Sequence, residues 1–434
     1  MKLSIIVACI LSMYAQQSLA EFSAVIEQEW TVDTDLHSEK FETLFQPEWN
    51  FSITEEVEMT FIARARFDAL NNLGPDSKRA QNYADINGPA ISSNHGDLSI
   101  REWYIDTEIN GSFWRIGKQQ VVWGQADGLK VLDVVNPQSF REFILDEFDD
   151  SRIPLWMLNV EVTVGAEDSL QILWVPDSTY NEFAETGTSF EIKSPLFVAG
   201  IEAGSPVVGL SQGKPSSNLA DSDIGLRYSM FYDGWDLTYN YLFHYHDSPV
   251  LYQQLDAFGI TIDSRYERNH LLGATASNVF GDFTIRTEVG YSSDTFHQLD
   301  APSSILDTNG IFQSSEFSSV IGLDWQGLED IFISMQWFQS HLFKYDNNVV
   351  RPQNNNIASF LYKQTFENET WEINALSLYG LDKKDTSIQL ELSYMLEDNL
   401  KVWVGADIFS GDSDGLFGQF SQQDRTTLGF EWGF

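Results

Sequence analysis

Alternation with a period of two runs through most of the chain, and it restricts the chain to sheet whose two faces meet different surroundings. From Trp235 to Tyr245, Trp235, Leu237, Tyr239, Tyr241 and Phe243 share one face, and Asp236, Thr238, Asn240 and His244 share the other. From Glu56 to Asp68, Val57, Met59, Phe61, Ala63, Ala65 and Phe67 alternate with Glu58, Thr60, Arg64, Arg66 and Asp68. Ile388, Leu390, Leu392 and Tyr394 alternate with Gln389, Glu391 and Ser393, and Leu400, Val402, Val404, Ala406 and Ile408 with Lys401, Gly405 and Asp407.

The connections alternate as well. Short turns at Asn110-Gly111, Asp233-Gly234, Gly281-Asp282, 327–330 and 397–399 separate long polar stretches at about 71–96, 125–154, 176–221, 247–269, 292–316 and 344–356. Short turns at one end and long loops at the other are expected of an outer-membrane barrel, which closes its own hydrogen-bond ladder and leaves no edge in lipid. A large soluble β-sandwich or β-helix also alternates, but 13 Trp, 16 Tyr and 31 Phe supply the aromatic girdles of a membrane barrel. The chain therefore reads as all-β, a single transmembrane antiparallel β-barrel of 18 strands, with 16 as the alternative, in the outer membrane of a Gram-negative bacterium. Leu428, Phe430, Trp432 and Phe434 alternate up to a terminal aromatic, which resembles the signal read by the barrel-assembly machinery.

The N-terminal segment agrees with that address. Lys2 gives a small basic region, Leu3 to Tyr14 is mostly apolar, and Ser18-Leu19-Ala20 reads as a cleavage site, so residues 1–20 are expected to be a signal peptide and 21–434 the barrel. Cys9, the only cysteine, lies too near the start for a lipid anchor. Without Lys2 the chain has 24 basic and 64 acidic residues, a net charge of −40, which argues against nucleic acid as a partner. Acidic loops beside the lipopolysaccharide leaflet suit bridging of carboxylates to phosphates by divalent ions.

The most distinctive stretch is Arg101 to Pro176. It contains Arg101-Glu102-Trp103-Tyr104-Ile105-Asp106, Arg115-Ile116-Gly117-Lys118-Gln119-Gln120-Val121-Val122-Trp123-Gly124, Ala126-Asp127-Gly128-Leu129, Asp133-Val134-Val135-Asn136-Pro137 and Asp149-Asp150-Ser151-Arg152-Ile153-Pro154. These residues resemble a large family of outer-membrane barrel proteins catalogued as a domain of unknown function, itself distantly similar to alginate-export-type porins. The stretch from Phe417-Gly418-Gln419-Phe420 to Phe434 is similar too. The resemblance implies an outer-membrane channel with unsettled cargo; it does not imply alginate, because an anionic polymer needs a basic pore and this chain is acidic.

Residues 125–154 are too long for a tight hairpin and too apolar for an exposed loop, with Val131, Leu132, Val134, Val135, Phe140, Phe143, Ile144, Leu145 and Phe148. Folding into the lumen would shelter them, with a short helix expected over Pro137–Leu145. Parity puts Arg64, Arg66, Arg115, Arg227 and Arg286 on the polar faces of their strands, and a lipid-facing charge at the midplane costs about 2–4 kcal/mol. They are therefore expected to face the lumen and to meet the loop acids Asp146, Glu147, Asp149 and Asp150 in a constriction. Such a field can sort solutes, or the pairs can simply hold the loop in place.

Other constellations weigh less. Asp412-Ser413-Asp414-Gly415 resembles part of a calcium loop but lacks its downstream Glu, and His244 and His246 read as wall residues. No metal, cofactor or catalytic residue is assigned. Asp33, Asp35, Asp149 and Asp150 could be imagined as the acids of an outer-membrane protease, without a partner at suitable spacing. The leading expectation is a porin-like channel for a small or amphiphilic solute. The alternatives are a plugged barrel acting as a surface binding or structural protein and, third, an enzyme. A periplasmic or inner-membrane transport partner is compatible with the first.

Overall fold

A strand in lipid needs an apolar face outward and every backbone group bonded to a neighbour, and the alternating segments satisfy both conditions. The computed structural model describes residues 20–71, 82–198, 207–215, 219–256, 259–300 and 309–434. The expected signal peptide lies outside them apart from Ala20, and Cys9 lies outside with it. The barrel strands are β1 (Ala20–Asp33), β2 (Ser38–Thr54), β3 (Val57–Asp68), β4 (Gly96–Ile109), β5 (Ser112–Gln119), β6 (Leu155–Val164), β7 (Asp168–Val175), β8 (Asp223–Tyr232) and β9 (Trp235–Tyr245). They continue as β10 (Arg268–Phe280), β11 (Phe283–Gln298), β12 (Ile311–Leu328), β13 (Ile331–Leu342), β14 (Asn354–Phe366), β15 (Trp371–Gly380), β16 (Asp385–Glu397), β17 (Leu400–Ser410) and β18 (Arg425–Gly433). Each pairs antiparallel with the next, and β18 closes on β1 with Gln28 opposite Phe430 and Trp30 opposite Leu428. The closed barrel thus has the 18 strands expected, and a short additional strand, Ile91–Ser93, pairs with the start of β4.

At one end the connections are short. Asn110-Gly111 and Asp233-Gly234 carry positive φ at both positions (53° and 77°, 48° and 83°), the conformation that joins two twisted strands in two residues. At the other end lie the long connections, led by 69–95, 120–154 and 176–222. The outward faces present Trp103, Ile105, Leu272, Trp337, Leu390, Phe430 and Trp432, all exposed on the bare protein and placed for lipid to cover.

Three expectations are corrected. Residues 292–316 are not all loop: β11 and β12 stay paired beyond a bulge, with Thr295 opposite Ser314 and Gln298 opposite Ile311. Beyond the lipid a strand needs no apolar face, so its alternation fades. Residues 247–269 contain a hairpin, Val250–Asp256 with Gly259–Arg265, to which Val207–Gly213 adds in parallel. The helix expected over Pro137–Leu145 is absent; Ser139–Phe140 pairs in parallel with Glu182–Phe183, and a single helical turn forms at Phe148–Ser151.

The loop between β5 and β6, residues 120–154, lies inside the barrel, and its apolar side chains are what seat it. Leu132 is fully buried in a notch opened by two wall glycines: a Cβ on Gly273 would come within 2.6 Å of its Cδ2 and one on Gly290 within 3.2 Å. Trp123 is fully buried beside Leu173 and donates from Nε1 to Gln171 at 2.8 Å. Phe143 packs on Phe409, Phe417 and Phe420, and Phe190 packs on Phe409 and Phe420, which joins the loop to two other long connections. Each such side chain taken from water contributes about 1.5–3 kcal/mol.

The notch gives the first prediction. Gly273→Val places a branched side chain where Leu132 sits, and overpacking of this kind costs about 1–3 kcal/mol. The barrel should still assemble, while protease should cut within 125–150 in the variant and not in the parent. Equal protection in both would show that the notch does not seat the loop.

Candidate constriction site in the barrel lumen

The strand parity carries all five predicted arginines inward, and the structure shows what each meets. Arg64 pairs with the loop acid Asp150 and donates from Nε to Gln46 at 2.9 Å. Arg286 pairs with Asp127, at the start of the loop, and with Asp324 on β12, and donates to the Gln125 carbonyl. Arg227 donates to the carbonyl of Val122 at 3.0 Å. The other two meet the wall: Arg66 Nε lies 3.3 Å from Glu42, and Arg115 grips Asp106 on β4 through two bonds of 2.7 Å, beneath the Tyr104 ring. Arg115 therefore stands apart from the loop acids it was expected to meet, because its neighbour across the ladder already supplies a carboxylate.

Of the loop acids, Asp149 pairs with Arg152, and Glu147 is exposed toward the lumen. Asp146 makes no ion pair with any of the described residues. Burial, and then the nearby Glu142 carboxylate, push its carboxyl up to about 6. Leu428, Phe430, Trp432 and Phe434 all project outward from the end of β18, on the lipid side.

The strongest contact between loop and wall involves residues that the sequence reading did not single out. Arg141 donates to both oxygens of Glu42, at 2.6 and 2.9 Å. Glu142 lies 2.7 Å from Lys40, 2.9 Å from Arg141 and 2.9 Å from Arg425, which also holds Asp407 at 2.8 Å. Lys40 additionally pairs with Glu29. With Arg66 the cluster has four cations and four carboxylates, so its formal charge is zero. Burial raises the Glu142 carboxyl, but Lys40, Arg425 and Arg141 outweigh it and hold that group well below the usual carboxylate range. Lys40 and Glu42 alternate with the exposed Phe41 on β2, so their inward parity was readable.

The motif residues hold the loop's own shape. Asn136 accepts from the Val121 amide at 2.8 Å and donates to the carbonyls of Gln119 and Ile153, tying the two ends of the loop together. Arg152 pairs with Asp133 at 2.8 Å. Gly117 has φ +140°, and a Cβ there would meet the Trp103 carbonyl at 2.2 Å, so the motif position admits only glycine.

The loop divides the lumen into two chambers. One, of about 400 Å³, is lined mainly by apolar side chains, among them Leu129, Phe140, Phe143 and Phe338, and reaches Asn181 and Asp247 at the long-loop end. The other, of about 420 Å³, is polar and runs along the wall past Glu391 to Lys363 and Trp403 near the short-turn end. Gly128, Ile144, Asp146 and Phe148 line both. These four residues therefore stand between the two chambers.

Other constellations stay apart. Asp33 pairs with His37 at the first long-end turn, far in sequence and in element from the loop acids Asp149 and Asp150. Asp414 pairs with Lys383, and the Asp412 carbonyl accepts from Gly415 as a turn. The His244 and His246 rings lie 5.8 Å apart, with His246 bonded to the Asp294 carbonyl. No group of three potential metal ligands occurs among the described residues.

Two predictions follow from the loop charges. Removing one member of a buried pair leaves its partner uncompensated, so Arg141→Ala should cost about 3–5 kcal/mol and lower the melting temperature of the detergent-solubilised barrel; a shift no larger than that of a surface arginine would show that the cluster does not hold the loop. Asp146 has the opposite sign. Its folded value is raised, so the stability linked to its proton is fully present below the ordinary value of 3.8 and is lost as pH rises through about 6. Asp146→Asn should match the parent near pH 4 and gain about 1–2 kcal/mol near pH 7.5, read as melting temperature against pH. Parallel pH profiles would contradict this.

Residues 40–366 match the model of a family described as a protein of unknown function, DUF1302. The matched span includes Arg101 to Pro176 and stops before the 417–434 stretch. No curated protein matches the chain. Among solved structures it is similar to OccAB2 of Acinetobacter baumannii, at 10% identity over 96% of this chain and 98% of that one, with a TM-score of 0.52. It is similar to Pseudomonas aeruginosa OpdK solved with vanillate (11% identity, 96% and 98% covered, TM-score 0.52). It is likewise similar to OccK2 (OpdF) of the same organism in complex with glucuronate (11%, 96% and 98%, TM-score 0.52). Shared architecture at such identity is a statement about fold, and the fold is that of these outer-membrane barrels. Because the family model spans most of the sequence, the chain belongs to the DUF1302 family, and its fold is an 18-strand β-barrel.

Proposed function

We propose that the protein is an outer-membrane channel that passes a small, amphiphilic solute through a constriction made by residues 120–154. The observation that carries this reading is that Gly128, Ile144, Asp146 and Phe148 have a chamber on either side of them. A structural plug gains nothing from open volume on both of its sides, whereas a route needs it. The apolar lining of one chamber and the polar lining of the other suit a molecule with an apolar body and a polar group. The vanillate of OpdK and the glucuronate of OccK2 are likewise small molecules. In this reading residues 1–20 direct export, Leu428, Phe430, Trp432 and Phe434 serve barrel assembly, and the acidic loops face lipopolysaccharide.

Phe148 is the side chain to test, since it lines both chambers and takes part in no buried ion pair. In a planar bilayer the protein should conduct, and Phe148→Ala should raise the single-channel conductance by about twofold, as widening a narrow point does. A protein that stays silent both intact and after deletion of 125–150 is a plugged barrel, and the channel reading fails.

A further inference from the structure

The strand β4 breaks parity at one position. Ile62 pairs with Glu102 while the next residue, Ala63, pairs with Ile100, so Arg101 is an extra residue in the ladder. Leu98 and Trp103 both face outward though they are five apart, an odd spacing that a regular strand forbids. Glu102 accepts from Gln120 of the loop at 2.8 Å, and Arg101 donates to the backbone carbonyls of Asp149 and Asp150, so the bulge turns two successive side chains inward. Regular alternation would have put Arg101 beside Trp103 and Ile105 in lipid.

The bulge adds a guanidinium to a place that already has two. Arg64, Arg66 and Arg101, with Lys118, line a pocket of about 40 Å³ behind the loop, and among the described residues Asp97 and Asp150 are the carboxylates that line it. Arg66 Nε is buried and makes no hydrogen bond; its nearby carboxylate, Glu42, is already held through both oxygens by Arg141. A water needs about 10–15 Å³ on this measure, so the pocket holds roughly three water-sized groups, the size of a carboxylate head. Asp150 reaches this pocket from the loop, and its side chain is still 51% exposed. Burial raises the Asp150 carboxyl, yet Arg64 and then Arg101 outweigh it and keep that group below the usual range.

We infer that Arg64, Arg66 and Arg101 form a binding site for the carboxylate of a solute, and that Asp150 is a tethered competitor that occupies its edge when no solute is present. A solute carboxylate takes the guanidinium bonds that Asp150 makes, and Asp150, half-exposed, moves into water. This goes beyond the channel reading by naming the charge and the group recognised, and it rests on that reading only for the route by which solute arrives.

Benzoate is the probe, and benzamide is the neutral control of similar shape. Equilibrium dialysis with the purified full barrel in detergent, at low salt, should show benzoate bound and benzamide not. Asp150→Asn should tighten benzoate by about tenfold, because a competing like charge is gone. Arg66→Gln, at the guanidinium whose Nε makes no hydrogen bond, should weaken it by about tenfold. Unchanged or weaker benzoate binding in Asp150→Asn overturns the proposal, as does unchanged binding in Arg66→Gln or equal binding of benzamide. Conduction is measured separately in the bilayer: a silent barrel that binds benzoate with this pattern loses the channel and keeps the site, and a conducting barrel without the pattern loses the site alone.

Discussion

Closure of the ladder between β18 and β1 is the constraint on which everything inside the barrel depends. Once Gln28 faces Phe430 and Trp30 faces Leu428, no backbone edge remains, and away from bulges a wall residue is assigned to lipid or to lumen by its parity. A one-residue slip on β3 would turn Arg64 and Arg66 into hydrocarbon and Phe61 and Phe67 into the lumen, so register is fixed strand by strand. The buried Thr31–Thr427 hydrogen bond across the closing pair, at 3.0 Å, shows that the seam is packed as the rest of the wall is.

Within that frame the loop is held by two kinds of contact with different consequences. The apolar seats of Trp123, Leu132 and Phe143 supply most of the favourable free energy and are tolerant of direction. The neutral cluster around Glu42 and Glu142 supplies direction. A buried ion cluster adds little net stability over an apolar substitute, but any other placement of Arg141 and Glu142 strands charge. Together they explain how a chain of net charge −40 keeps a charged loop in a confined lumen: Glu142, Asp149 and Asp150 each meet a cation, and Asp146 is the buried loop acid left to its proton.

Much of this was legible in the sequence, for a physical reason. Lipid on one side imposes a period of two, and that period read out the strand number, the lipid face and the inward direction of Arg64, Arg66, Arg115, Arg227 and Arg286. The apolar content of 125–154 read out an inward loop. What it left open depends on distant pairing. Glu42 and Arg141 are 99 residues apart, and nothing local says that they meet. Arg115 was directed correctly and matched wrongly, because Asp106 becomes its neighbour only when β4 and β5 pair. The helix expected at Pro137 lost to strand pairing of Ser139–Phe140 with Glu182–Phe183, a contact made by another loop.

Arg101 marks where the method of parity stops working and why that place matters. Counting by twos from Trp103 sends Arg101 to lipid, at a cost no barrel need bear when one extra residue in the ladder avoids it. The clue was present as an odd spacing between Leu98 and Trp103, two residues that both want the lipid face. A bulge bends and twists its strand, and here it does so opposite the turn Phe148–Ser151, whose Asp149 and Asp150 carbonyls Arg101 reaches. The same irregularity therefore delivers a guanidinium to the loop backbone and shapes the cationic pocket beside it. Other wall strands bulge near their ends, but this bulge lies within β4 and turns both of its side chains to the loop, which sets it apart.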